Sequence, residues 1–363
     1  MSNITKQYEL TLDEAIKSIL AVGTKRTVIM QGHMGIGKSS SLTMLGEALP
    51  DHTQCYFDCT TKDLGDIFIP KMKTEDGSDF VTFAPNEELG AHLDKPIILM
   101  VDEFGKANPS VQKAMLRIML ERKIGSYTLH PDSIVYATTN LGAEGVGDLL
   151  PPHACNRIIV TKLRKPSAVD VIEYGISNGF NTSVLGFVKE FPHCLDSFED
   201  VKDPSDNPYI FHPREKRAAF VTPRSLEAAS DILHQREDLN DQIVTSLLIG
   251  TIGARAALDM MSFVRLVDQL PTLDSITNEP YTALIPESAS GVCMVIYKLL
   301  GAIDTKTVDP IMDYVNRLDT EAQALFSNTA RSNKYKNHNI VMTNRKFTDW
   351  AMSNGYMFSA DQQ

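Results

Sequence analysis

Residues 32–39 read Gly-His-Met-Gly-Ile-Gly-Lys-Ser, a G-x-x-x-x-G-K-S pattern set between the apolar run "RTVIM" and the helix-like "SSSLTMLGEAL". Glycine costs chain entropy, so its concentration here needs a use. Between a strand and a helix the use is clear: backbone N–H groups turn inward at a helix N-terminus and cradle phosphate. The loop from Gly32 through Ser40 supplies that cradle. Gly32, Gly35 and Gly37 give its backbone freedom. His33, Met34 and Ile36 fill the variable positions, and their side chains are assigned no chemistry. Lys38 is expected to reach the β- and γ-phosphates, and the Ser39 hydroxyl to ligate Mg²⁺.

A second stretch, "PIILMVDEF", is an apolar run that ends in two acids, Asp102 and Glu103. Next to a phosphate loop, one such carboxylate can hold the Mg²⁺ shell opposite Ser39. The other can polarise water for attack on the γ-phosphate. Asp102 is the expected metal residue and Glu103 the expected base.

Elements able to position these groups follow from the pattern around them. The runs "RTVIM", "TQCYFDC", "PIILMVDEF", "SIVYATTN" and "RIIVTKL" read as strands. Their near-continuous apolar character means burial on both faces, as in a parallel sheet covered by helices. The fold class is α/β, with a five-stranded parallel sheet. Residues 62–93 contain two β-rich pieces around the turn-like "TEDGSD" and predict a projecting hairpin. A shorter hairpin is predicted in "ERKIGSYTLHPDS". The segments "DIFIPKMK" and "DFVTFAP" carry apolar residues that either face solvent or pack on the sheet.

After Pro166 the strand signals fade and helical periodicity continues to the end. The predicted organisation is an α/β core over 1–165, a helical part over 166–270 and a C-terminal helical extension over 271–363. Within it, "EFPHCLDSFEDVKDPSDNP" has six acids and three prolines and reads as a solvated loop. Residues 331–346 carry five Lys or Arg and no acid. They read as a solvated surface, with a nucleic-acid or acidic-partner patch as the alternative.

The whole chain of 363 residues has a net charge of −11, which argues against a sequence-independent grip on a nucleic-acid backbone. Cys55, Cys59, Cys155, Cys194 and Cys293 form an odd set without a C-x-x-C pair, which suits a reducing compartment. No zinc-type site is expected. The N-terminus is mixed and acidic, unlike a signal or transit peptide. The apolar stretch 243–264 contains Arg255 and Asp259 and is too polar to span a membrane. A cytoplasmic protein is expected.

The phosphate loop, "VDEFGKANPSVQKAMLRIMLERK", the polar end of "YATTN", "CNRIIV" and "TPRSLEAA" together give a sequence that resembles the AAA+ ATPases, and within them the MoxR-like, dynein-related branch. The resemblance covers roughly residues 10–260. It implies a P-loop AAA+ core followed by a mostly helical lid and a C-terminal helical region. It implies that Asn140 positions the attacking water, that Arg157 is a finger reaching a neighbouring subunit's nucleotide, and that Arg224 is a lid sensor on the γ-phosphate of its own subunit. A permanent, forked cation suits both arginine roles. Two departures concern subunit contacts: Asn156 stands where the branch usually has Asp, and Lys106 where it often has Arg.

The function so implied is hydrolysis of ATP with Mg²⁺ in a homo-oligomeric ring of six subunits, which remodels or activates a partner protein complex, in relatives often one with a von Willebrand A-like domain. Two rivals remain at this level. One is a DNA-acting AAA+ motor, such as a helicase loader or restriction-type translocase. The other is a nucleotide-gated scaffold with little turnover, which the intact Glu103 opposes. No N-K-x-D guanine signature is present, so ATP is preferred to GTP.

Overall fold

In the computed structural model, which describes residues 8–144, 154 and 156–355, the predicted apolar runs become strands. In chain order these are β1 Thr27–Gln31, β2 Thr53–Asp58, the pair β3 Phe68–Glu75 and β4 Ser78–Pro85, β5 Ile97–Asp102, the pair β6 Lys123–Ile124 and β7 Tyr127–Thr128, β8 Ile134–Thr139 and β9 Ile158–Lys162. Strands β2, β5, β8, β1 and β9 pair in that order in one sheet, and every pairing is parallel. The expected five-stranded parallel sheet flanked by helices, followed by a helical region, is the observed fold class.

Burial explains the apolar runs. Every residue of β5 is buried, and its side chains alternate between two cores. Ile98 and Met100 join Val28, Met30 and Tyr136 on one face. Ile97, Leu99 and Val101 join Phe57, Val135 and Ala137 on the other. A strand covered on both faces has no polar side to show, which is why alternation is missing from its sequence.

Helix α1, Leu12–Val22, starts at a capping box in which Thr11 and Glu14 satisfy each other's backbone N–H. It buries Ala15, Ile16 and Ile19. Helix α2, Ser41–Ala48, follows the phosphate loop. Helix α3, Pro109–Glu121, is capped by Asn108, whose side chain accepts from the N–H groups of Ser110 and Val111, with Pro109 opening the first turn.

The register puts Gln31 beside Thr139, Asp58 beside Asp102 and Val101 beside Ala137. The C-terminal ends of β1, β5 and β8 therefore line one edge, where open α/β sheets bind ligands. The β3–β4 pair is antiparallel over its whole length. Ile69, Met72, Phe80, Val81 and Phe83 are exposed on it, so these residues face solvent rather than packing on the sheet.

Contacts divide the chain into two units, Met1–Lys165 and Pro166–Gln363. The second is helical, and one hydrophobic cluster runs through it from Val171 to Trp350, joining residues such as Phe187, Met260, Ile296 and Tyr314. The acidic stretch 190–208 leaves its acids exposed, as a solvated loop would, but it is anchored. Cys194 and Leu195 are buried, Asn207 donates to the His193 carbonyl at 2.7 Å, and Phe191 packs against Phe187 and Tyr209. A few apolar anchors hold a segment whose composition is dominated by charge. Among the described residues, no helix is long and apolar enough to cross a membrane.

Candidate functional site

The phosphate loop leaves β1 at Gln31 and turns on two glycines in the left-handed region, Gly35 with φ 73° and Gly37 with φ 90°. Those angles are why L side chains are avoided there. The Lys38 side chain folds back under the loop and is buried. Its ammonium donates to the carbonyls of Gly32 and His33, both at 2.8 Å, and to Asn140 Oδ1 at 2.6 Å. All three ammonium donors are thus used. Burial is the main reason its pKa drops from 10.5 to about 8, against the pull of Glu103, Glu144 and Asp102. Ser39 and Ser40 are exposed at the start of the following turn, and Ser40 Oγ donates to the Gly37 carbonyl at 2.6 Å.

Asp102 ends β5 nearly enclosed, and both its oxygens are engaged. Oδ1 accepts from the Thr138 hydroxyl and from the Glu103 N–H at 3.1 Å; Oδ2 accepts from the Tyr56 hydroxyl at 2.9 Å. Burial and then this carboxylate raise the Tyr56 pKa, so the phenol stays a donor. Tyr56 lies on β2, and the β2–β5 register brings it within reach of Asp102.

Glu103 has φ 50°, in the left-handed region for a non-glycine residue. Such a conformation persists where surroundings impose it, often at functional sites. Its Oε1 accepts from Asn140 Nδ2 at 3.1 Å. The Lys106 ammonium comes within 3.2 Å of Oε2 but off the axis of a hydrogen bond. That buried oxygen has no hydrogen-bond donor among the described residues. An unsatisfied carboxylate oxygen beside a phosphate loop has the chemistry to take a proton from water.

The structure therefore gathers Lys38, Asp102, Glu103 and Asn140 at one sheet edge. Arg157 stands outside this hydrogen-bonded group, exposed just before β9 with its N–H bonded to the Ala154 carbonyl at 2.9 Å. Arg224 belongs to the second unit, exposed in the first turn of the helix Pro223–His234. A cation in a helix's first turn opposes the macrodipole, so the helix itself gives no reason for Arg224.

Two neighbours were missed by sequence reading. Tyr56 sits in a strand whose pattern gives no hint of Asp102. Glu144 follows Asn140 by four residues, and its carboxylate accepts from the Met34 N–H at 3.0 Å and lies 3.1 Å from His33 Nδ1. Its place in a single 3₁₀ turn, Gly142–Glu144, is too short to carry a periodic signal.

The donor set fits Mg²⁺. A hydroxyl from Ser39 and one carboxylate from Asp102, with water and substrate phosphate completing the shell, is how this ion is usually held. The buried cysteines differ. Cys55 and Cys59 lie in the core beneath β2, and burial pushes the Cys59 thiol up to about 12. Cys155 lies outside the described residues.

No family model and no curated protein matches the chain. Solved structures similar to it include a candidate ATPase from Cytophaga hutchinsonii, at 13% identity and TM-score 0.35 over 72% of this chain and 91% of that one. Another is the Thermotoga maritima RuvB Holliday junction branch migration motor, at 14% identity and TM-score 0.35 over 72% and 74%. A third is Hsp104 in a closed state with ATPγS and casein, at 17% identity and TM-score 0.38, covering 70% of this chain and 46% of that one. With superposition this loose and identity this low, the likeness assigns no activity to this chain.

Proposed function

We propose that the chain is an AAA+ ATPase of the MoxR-like branch that hydrolyses ATP in a homo-oligomeric ring of six subunits. The observation that carries the reading is the link Lys38–Asn140–Glu103, in which one buried amide accepts from the ammonium at 2.6 Å and donates to the carboxylate at 3.1 Å. In this reading the loop amides and Lys38 hold the triphosphate. Asn140 sets the distance between terminal phosphate and water, and Glu103 takes the proton of the attacking water on Oε2, the oxygen that accepts no hydrogen bond among the described residues. Bound at Ser39 and Asp102, Mg²⁺ would neutralise charge on the phosphate oxygens.

In this reading Arg157 is the finger and Arg224 the lid sensor, the roles that the sequence resemblance implies for them. Exposure of both is what such roles need. Hydrolysis then depends on assembly, and the work it drives is remodelling of a client complex with a von Willebrand A-like domain. Against the DNA-motor reading, three cations of the basic segment face acids: Lys334 with Asp170 at 3.7 Å, Arg345 with Asp349 at 3.7 Å and Lys346 with Asp313 at 2.6 Å.

Phosphate release by wild type and by Glu103→Gln, each sized with and without ATP, tests the proposal. The expected result is steady turnover in wild type, loss of turnover with retained ATP-dependent assembly in the variant, and no stimulation by DNA. Equal release from both proteins would overturn it.

A further inference from the structure

The His33–Met34 peptide is gripped at both ends. Its carbonyl accepts from Lys38 Nζ at 2.8 Å, and its N–H donates to Glu144 Oε2 at 3.0 Å. The other oxygen of Glu144 lies 3.1 Å from His33 Nδ1, and the Glu144 side chain is only 1% exposed. Because Asn140 also accepts from Lys38, the hydrogen bonds close a ring: Lys38, the 33–34 peptide, Glu144, the 140–144 segment, Asn140 and back to Lys38. A loop built to offer N–H groups to an anion already holds one, and that anion belongs to the chain.

We propose that Glu144 is an internal anion that the terminal phosphate of a nucleoside triphosphate must displace or crowd, so that it weakens triphosphate binding relative to diphosphate binding. This rests on the nucleotide-binding reading above. Two facts make the charge matter. Glu144 is enclosed, so water screens it little. It also acts on the same buried ammonium that the terminal phosphate would approach, alongside Glu103 and Asp102. A γ-phosphate entering there adds negative charge to a site where Glu103, Glu144 and Asp102 already act on Lys38, and a second lysine, Lys106, stands beside Glu103 at 3.2 Å. A diphosphate, one phosphate shorter, adds less. The contact also ties the phosphate loop to the segment bearing Asn140.

The test is the ratio of affinities for ATP and ADP, measured by calorimetry on the full chain in EDTA and again with Mg²⁺, for wild type, Glu144→Gln and Glu144→Asp. The Gln variant keeps an acceptor for the Met34 N–H while removing the charge, and unchanged thermal melting shows that the fold survives. The expected result is that Glu144→Gln tightens ATP binding by about tenfold while ADP binding moves less than about threefold. The Asp variant, which keeps the charge, leaves the wild-type ratio in place. If wild type binds nucleotide but the ratio is the same in all three proteins, or if Glu144→Gln weakens ATP binding, Glu144 is a structural tie and the inference fails alone. If wild type binds neither nucleotide, the functional reading fails with it.

Discussion

Asn140 and Lys38 are joined by a 2.6 Å hydrogen bond from ammonium to side-chain oxygen, and both residues are buried. The nitrogen of the same amide donates to Glu103. A cation suited to phosphate and a carboxylate suited to water are thereby held at a fixed separation by one planar group. Replacing Asn140 with Ala removes that spacer but leaves the loop amides. Turnover should fall by roughly 100-fold while nucleotide affinity changes by less than about threefold. Parallel calorimetry and phosphate-release measurements check this. Equal losses in both would make Asn140 a support for the loop rather than a part of the chemistry.

Lys38 predicts a pH dependence whose sign is fixed. In the free chain its pKa is about 8, below the ordinary 10.5, because burial disfavours the charged form. A bound polyphosphate favours that form and raises the pKa, so binding takes up a proton above pH 8. Affinity should therefore fall as pH rises through 8, by up to about tenfold per pH unit. Folding stability has the opposite trend from this group: the unfolded chain holds its proton up to 10.5, so stability gains from about pH 8 upward. Titrations at pH 7 and pH 9 with wild type and Lys38→Arg check the first point. The arginine variant should lose the slope, and a flat wild-type profile would contradict the assignment.

Tyr56 donates to Asp102 from a strand edge and is 45% exposed. Tyr56→Phe should leave stability within about 1 kcal/mol of wild type, the usual worth of one such bond. It should raise the Mg²⁺ concentration for half-maximal hydrolysis by about tenfold, since partners that orient a metal-holding carboxylate affect affinity on that scale. A magnesium titration reads this directly. An unchanged midpoint would mean that Asp102 is oriented by Thr138 and the Glu103 N–H alone.

Sequence reading reached the sheet because its signals are local. The central strands β1, β5 and β8 are apolar runs buried on both faces, and the turn residues "TEDG" mark the β3–β4 hairpin. Strands β2 and β9, at the ends of the strand order, leave Tyr56, Ile159 and Val160 exposed against the same expectation, because no neighbouring strand flanks them on one side. The gathering of Lys38, Asp102 and Glu103 was legible because a phosphate loop and an apolar strand ending in acids each announce their own chemistry. Tyr56 and Glu144 were not. Their contacts join residues 46 and 110 positions apart and depend on which strands are neighbours, a fact that the order β2-β5-β8-β1-β9 supplies and no local pattern contains. The stretch 190–208 leaves its acids exposed, as its composition predicts, while the buried Cys194 and Leu195 that anchor it carry no signal in a sequence dominated by charge.

In the proposed function the loop from Gly32 to Ser40, closed by Lys38, holds the phosphates of an adenine nucleotide. Isothermal titration of the purified chain with ATP and Mg²⁺ tests it most directly. One saturable site per chain in wild type, abolished in Lys38→Ala without loss of folded structure, is the predicted result. No binding by wild type up to millimolar ATP, or equal binding by both proteins, would contradict it.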